Sequence, residues 1–351
     1  MHKSYTTDTL DFRINEIPFN ELIRHYDRVI FLYPDKKKFI QKFMHLIANN
    51  WKKALTANDQ LLWIASSHRS GFQKMATISL WRSTNNGWMA QHLTSNAGPK
   101  YVKNILIGTQ LHAIKNQYHS GQNWFQPKNK YANNIFGSIE SNIGKHYANV
   151  DSFDYFHVNS NHLIQPINNE ISIVQCKNNY YQKTVLQFLM EQMGHVYVKT
   201  EEWDTDDIEL LSVNEMYRQY DLFRYRCIWI AFENNKNDQP AGVLIAYRGP
   251  LGLNFCLLEN RMELIINKSI DSSKYLDISA QLINNAMLIY NDDDYPMDFI
   301  PLVTPSLSGK KLKESLAFKR KYKKSSWLNK GFEPWCHHVK DFFKDLEKNL
   351  Q

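Results

Sequence analysis

The densest charge in the chain lies between Pro301 and Lys330. Nine basic residues (Lys310, Lys311, Lys313, Lys319, Arg320, Lys321, Lys323, Lys324 and Lys330) stand there against one acid, Glu314. That leaves a net +8 in a chain whose formal total is +7, so the remainder is close to neutral. A local basic cluster attracts phosphate, whether of a nucleotide, of CoA or of nucleic acid, and it also serves simply as a solvated face. The near-neutral remainder weighs against a nucleic-acid binder. Cys336-His-His338 brings two ligand types together but has no fourth ligand at a recognised spacing, so no metal site is expected. The chain contains no G-x-G-x-x-G, P-loop, G-x-S-x-G or H-E-x-x-H, which leaves dinucleotide, NTPase and hydrolase chemistry without support.

The elements that must position any site follow from composition and period. With 351 residues, 43% hydrophobic and 22% charged, the chain is expected to fold as two ordinary domains or one large one. No apolar run approaches the ~20 residues of a membrane span, and Met1-His-Lys-Ser-Tyr-Thr-Thr-Asp8 carries no apolar signal core. Four cysteines lie far apart with no C-x-x-C, as suits reduced thiols. The expectation is a soluble cytoplasmic protein.

Helical spacing runs from Ile17 to Leu55 with a break at Pro34. Three strand candidates follow: Leu61–Ala65, Lys74–Trp81 and Trp88–Thr94, with Asn85-Asn-Gly87 as a type I′ hairpin signal. Val102–Ile114 and Asn129–Ile143 read as helices, with strands at Asn123–Gln126 and Phe153–Val158. The second half repeats this order. Helices at Tyr180–Met193 and Ser212–Tyr220 precede strands at Arg226–Phe232, Ala241–Tyr247, Asn254–Leu258 and Met262–Ile266. A helix at Tyr275–Tyr290, a strand at Phe299–Val303 and a basic helix at Lys311–Tyr322 complete it. On that basic helix Leu312, Leu316 and Phe318 turn inward, and Lys313, Arg320 and Lys324 form an outer stripe.

Helices, an antiparallel meander, a helix, a strand, a helix and a last strand is an order that resembles the GNAT (acyl-CoA N-acyltransferase) fold, twice over. Locally, Asn129-Lys-Tyr-Ala-Asn-Asn-Ile-Phe-Gly-Ser-Ile-Glu-Ser-Asn-Ile-Gly-Lys145 and the strand Phe153–Val158 are similar to that family's N-x-x-A-x-x-x-Y-x-x-x-G-F helix and the strand after it, with departures in spacing and at the final Phe. Tyr217–Phe232 and Gln239-Pro-Ala-Gly-Val-Leu-Ile-Ala246 resemble its second and third strands. The resemblance implies an α/β (α+β) protein of two tandem GNAT-like domains, 1–165 and 166–351, each with a mixed, largely antiparallel sheet flanked by helices.

It also implies an N-acyltransferase that moves an acyl group from acyl-CoA, acetyl-CoA or an acyl carrier protein to an amine. The alternative is a non-catalytic module that binds a ligand or partner. The family's phosphate loop, [QR]-x-x-G-x-[GA], has a degenerate counterpart in Ser95-Asn-Ala-Gly-Pro-Lys100, which makes Asn96, Gly98 and Lys100 the donor-binding candidates. The second-half counterpart, Asn267–Lys274, has no glycine, and loss of donor binding is expected there. Amine acylation needs a base and an acid. His92 is the base candidate, Tyr131 or Tyr147 the acid candidate, and Glu259 and Glu263 hold the corresponding second-half positions. The basic segment 310–324 would suit an acidic carrier surface or a 3′-phosphate.

Overall fold

The computed structural model describes residues 11–68, 72–159, 164, 171–177, 179–233, 239–291, 295–313 and 316–348. In chain order its elements are β1 (Arg13–Ile14), α1 (Phe19–Arg28), α2 (Pro34–Leu55), β2 (Leu62–His68), β3 (Met75–Arg82), β4 (Gly87–Ser95), α3 (Pro99–Lys115), β5 (Ser120–Phe125), α4 (Lys130–Phe136), α5 (Ile139–Ile143) and β6 (Ala148–Asn159). Then come β7 (Ile171–Gln175), α6 (Asn179–Met193), α7 (His195–Thr200), α8 (Leu211–Arg218), β8 (Tyr225–Glu233), β9 (Gly242–Arg248), β10 (Met262–Ile266), α9 (Tyr275–Met287), β11 (Phe299–Pro305), α10 (Ser306–Leu312), β12 (Ala317–Leu328) and α11 (Phe332–Lys348).

The chain forms two compact units. One takes the chain through Val150 and again from Lys324; the other is Asp151–Lys323. This differs from a division at residue 165, because β6 and β12 each carry the chain from one unit to the other and the last helix returns to the first unit.

In the first unit β2, β3 and β4 form an antiparallel meander, with β1 beside β2 and β5 parallel to β4. The β3–β4 turn lies where Asn85-Asn-Gly87 pointed, but neither Asn takes a left-handed φ. The Ser83 N–H closes the loop on the Gly87 carbonyl at 3.0 Å instead. One face of the sheet packs α3 and α11 through Trp63, Ile78, Trp88, Ile105, Trp327, Trp335 and Phe343. Gly121 must lack a side chain, since a Cβ there would lie 2.6 Å from the Trp327 ring. The expected helix 129–143 is two, α4 and α5, broken at Gly137-Ser138.

In the second unit β7, β8, β9 and β10 pair antiparallel, β11 is parallel to β10, and β6 is antiparallel to β11. Helix α9 covers one face through Ile278, Leu282 and Ile283. The other face packs Val185, Leu189, Tyr197 and Trp203 against Ile230, Val243 and Ile265.

Two expectations fail here. Asn254–Leu258 is not a strand: Gly252 and Leu257 take positive φ, and the chain turns around the buried Glu259. The basic segment is not a helix either. Beyond α10 it runs as β12, with Phe318 edge-on to Phe156 (5.7 Å) and Tyr322 edge-on to Tyr155 (5.3 Å). A period of two therefore replaces the helical stripe. Arg320 and Lys324 fall on the face of Phe318 and Tyr322, while Lys319, Lys321 and Lys323 fall on the other. Lys313 stands apart, just after α10, paired with the buried Asp154 at 3.0 Å.

Candidate functional site

In the first unit the backbone itself opens a site. β4 pairs with β5 only from Gly87–Ala90 against Ser120–Asn123, and then the two strands part. At that point the ladder between β3 and β4 jumps from Ser79↔Gln91 to Thr77↔Thr94. One extra residue thus sits in β4, a β-bulge, and His92 there takes φ +56°. A bulge interrupts the ladder and re-aims the side chain it carries. A left-handed φ at a non-glycine residue is a conformation the surrounding fold must hold in place.

His92 is buried between the sheet and helices α1 and α2. Its ring stacks at 12° on Trp51 and meets Tyr26 and Phe31 edge-on, at 5.5 and 5.3 Å. Its Nδ1 shares a 3.3 Å hydrogen bond with Ser79 Oγ. A second chain runs beside it: His25 Nε2 to Thr94 Oγ1 at 3.1 Å, and Thr94 to Thr77 Oγ1 at 2.9 Å. Burial pushes the Tyr26 phenol up, against the opposing influence of Ser79 and Thr77. Burial also holds His92 well below an ordinary histidine, reinforced by the Lys36 charge, and brings His25 down to about 4. Both imidazoles are neutral at physiological pH, so His92 acts through hydrogen bonding and is a weak proton acceptor there.

Helix α3 starts where β4 ends. Gly98 takes φ +94° at its N-cap, Pro99 opens the first turn, and Lys100 follows with no acidic side chain in that turn. No side chain caps the start of this 17-residue helix, Pro99 carries no N–H, and the Tyr101 N–H turns back to the Gly98 carbonyl at 3.3 Å, at the positive end of the helix dipole. Asn96 spends its amide on the strand backbone: Oδ1 accepts from Met75 N (3.0 Å) and Nδ2 donates to Gln73 O (2.8 Å). It shapes the turn that presents Gly98 and Lys100.

The two tyrosines are placed apart from His92. Tyr131, on α4, packs edge-on against Phe342 and Phe343 of α11, on the sheet face opposite α1 and α2, where burial raises its phenol. Tyr147 is exposed just before β6, and its carbonyl accepts from Leu328 N at 2.8 Å. The structure brings neither hydroxyl to the His92 ring. Sequence reasoning missed Tyr26, Ser79 and Lys36. Tyr26 lies within the helical spacing of Ile17–Leu55, a pattern that marks core and not a site.

The second unit is built differently at the corresponding strand. β10 pairs with β9 without interruption from Met262 to Ile266, so there is no bulge. The turn Ser272–Lys274 that leads into its crossover helix is capped by Asp271, whose Oδ1 accepts from Ser273 N at 2.9 Å, and Asp277 lies in the first turn of α9. A carboxylate at that position repels phosphate.

Glu263, on β10, and Glu259, in the turn before it, are both fully buried. Glu263 binds Arg261 at 2.9 Å and accepts from the Tyr197 hydroxyl at 2.8 Å. Arg261 and Arg226 each lie 3.6 Å from Glu201, which also accepts from the Tyr247 hydroxyl at 3.1 Å. The two guanidiniums lie over the Tyr247 and Trp203 rings, at 3.9 and 3.5 Å. Glu259 accepts from Gly252 N at 2.8 Å, and burial pushes its carboxyl up to about 8. Among the described residues no group of His, Cys, Asp and Glu side chains could hold a metal ion, and no helix is long and apolar enough to cross a membrane.

No family model matches the chain, and no curated protein does. Among solved structures it is similar to a tandem GNAT protein from the clavulanic acid biosynthesis pathway, at 8% identity over 84% of this chain and 95% of that one, with a TM-score of 0.42. A GCN5-related N-acetyltransferase from Sphaerobacter thermophilus matches at 8% identity over 77% and 81%, TM-score 0.39. An N-myristoyltransferase from Saccharomyces cerevisiae with bound myristoyl-CoA matches at 9% over 93% and 87%, TM-score 0.38. In each unit of this chain a meander leads through a crossover helix to a parallel strand that leaves its neighbour, the element order expected of a tandem GNAT-like fold.

Proposed function

We propose that the first unit is an N-acyltransferase domain whose donor is an acyl-CoA or acyl carrier thioester, and that the second unit is a non-catalytic GNAT-like module. The observation that carries this reading is the coincidence, at one end of β4, of three features: the parting from β5, the bulge at His92 and the uncapped start of α3. A thioester laid in the opening would put its carbonyl at the bulged backbone and its phosphates toward Gly98 and Lys100. Backbone N–H groups held in place before the reaction stabilise the oxyanion that forms there. His92, neutral and hydrogen-bonded to Ser79, positions the acceptor amine on the side of α1 and α2. The acid that protonates the leaving thiolate is assigned to solvent, because Tyr131 and Tyr147 lie away from His92; the two tyrosines remain candidates only for contacts to the donor's outer parts.

The contrast with the second unit supports the division of labour. There the strand is regular, the helix start carries its own carboxylate, and the space beside β10 is filled by partnered charges. Calorimetry of the full chain with acetyl-CoA tests the assignment. One site is expected, weakened about tenfold or more in Lys100→Glu, where an attraction becomes a repulsion. Undiminished affinity in that variant, or loss of the site on Asp271→Lys instead, would overturn it.

A further inference from the structure

A buried lysine of the chain itself lies near His92, with the Phe31 ring in contact with both. Lys36 lies in the first turn of α2, within Asp35-Lys-Lys-Lys38. Its two lysine neighbours point outward: Lys37 pairs with Asp27 at 2.7 Å with 44% of its side chain exposed, and Lys38 is exposed. Lys36 is only 6% exposed. Its Nζ lies 4.0 Å from the centroid of the Phe31 ring and 4.9 Å from that of Tyr33. Phe31 in turn packs edge-on against His92. Among the described residues its neighbours are therefore ring faces and not a carboxylate. A buried lysine is ordinarily paired, because removing an ammonium from water is costly; ring faces return only part of that cost.

The loop leading to Lys36 is itself held in an unusual shape. Ile30, a β-branched residue, takes φ +56° while its side chain is 79% exposed. Such a conformation is disfavoured for a β-branched residue, and exposure brings it no packing in return. What it does bring is the turn that directs Phe31 and Tyr33 around the Lys36 ammonium.

We propose that Lys36 is the chain's own acceptor: that its amine occupies the acceptor recess beside His92 and is acylated there in an intramolecular reaction with the bound thioester. The inference rests on the acyltransferase reading of the first unit. Lys36 loses one proton to water, and its nitrogen lone pair forms the new C–N bond at the thioester carbonyl. The tetrahedral intermediate collapses with cleavage of the C–S bond, and the thiolate leaves with the electron pair. The second nitrogen proton passes to water, giving an amide, the free thiol form of the donor and one released proton in net balance. Acylation removes the charge and leaves an apolar amide among the rings, so the loop that strains Ile30 holds a modified, neutral plug in place of a charged one.

Peptide mass mapping of the full chain after incubation with acetyl-CoA tests this. Uncatalysed acetylation favours exposed amines, so it labels Lys37 and Lys38 ahead of the buried Lys36. The expected result is the reverse: Lys36 labelled about tenfold faster or more than either neighbour, since a held amine reacts at a high effective concentration. The rate should not change with protein concentration, and Lys36→Arg should lose the label while its melting temperature stays that of the parent. Equal labelling of the three lysines, or a rate that rises with protein concentration, overturns the proposal. If acetyl-CoA binds and thiol is released to an added amine while Lys36 stays unlabelled, the self-acylation falls and the acyltransferase reading stands. If no acetyl-CoA binds, both fall.

Discussion

Glu259 gives the structure a pH-dependent weakness whose size can be worked out. The carboxyl is fully buried in the turn between β9 and β10, and its burial raises it from 4.5 to about 8, against the N–H groups of its own residue, Gly252 and Asn254 and the Arg224 charge. In the unfolded chain it titrates near its ordinary value. Between pH 4.5 and 8 the native state therefore holds a proton that the unfolded state has lost. With more protons on the native side, stability falls as pH rises, at about 1.4 kcal/mol per pH unit while the difference persists. Across the whole window the cost is about 4–5 kcal/mol, and it is complete above pH 8. Glu259→Gln has the shape of the protonated acid and keeps an acceptor for Gly252 N, so it should match the parent at pH 5. At pH 9 it should be more stable than the parent by several kcal/mol. The assay is urea unfolding of both proteins at pH 5, 7 and 9, followed by hydrogen exchange in β8, β9 and β10, which reports on the second unit alone. Comparing the two proteins at each pH cancels every other titrating group. Curves that stay parallel from pH 5 to 9 would refute the reasoning, and a Gln variant weaker at every pH would show that the ionised carboxylate is the native form.

Three further expectations follow from named contacts. Arg261→Met should destabilise the second unit by roughly 3–5 kcal/mol, because it leaves Glu263 and Glu201 as buried charges without their common partner; denaturant midpoints measure it. Gly121→Ala should cost about 2 kcal/mol by driving a methyl group into the Trp327 ring, visible as a lower melting temperature with altered tryptophan fluorescence. His25 is buried and held at about 4 by burial and by Arg28, so the unfolded chain takes up a proton below pH 6.5 that the native state refuses. Its stability contribution is complete above pH 6.5 and is lost as pH falls toward 4, by roughly 3 kcal/mol, and His25→Gln should flatten that acid limb.

The elements with one dominant period were legible in the sequence. The meander β2–β4, helix α3 and helix α9 carry apolar residues at a single spacing, and each lies within a few residues of where the pattern put it. The basic segment was misread because Phe318 and Tyr322 are four apart, a spacing that serves a helix face and a strand face equally well. The lysines between them carry no period of their own, and only pairing with Phe156 and Tyr155 decides for the strand. Asn254–Leu258 was misread because its apolar run is held by a buried carboxyl, a contact with no signature in local spacing. The candidate site was half legible. The helix start at Gly98 and Lys100 was legible because a glycine and a proline announce it in sequence. The bulge at His92 was not, since it depends on the register of β3 against β4, and the burial of Lys36 depends on how α2 packs.

The ionised side chains in the second unit bear on which unit can do chemistry. Catalytic groups and structural groups are both buried and both shifted, so a raised carboxyl or a tyrosine beside a carboxylate does not by itself distinguish them. What separates them is whether a substrate can replace one of the partners. Glu263 has Arg261 and Tyr197, Glu201 has two arginines and Tyr247, and every one of these side chains is 2% exposed or less. A ligand entering there must break a buried ion pair before it forms any contact of its own, at a cost of several kcal/mol. The first unit asks for no such payment. His92, His25, Ser79, Thr77 and Thr94 are neutral and hydrogen-bonded among themselves, and the buried ammonium nearby, Lys36 in the first turn of α2, has ring faces around it. In the first unit the buried Lys36 amine meets the Phe31 and Tyr33 rings, so among the described residues a substrate there has no buried ion pair to break.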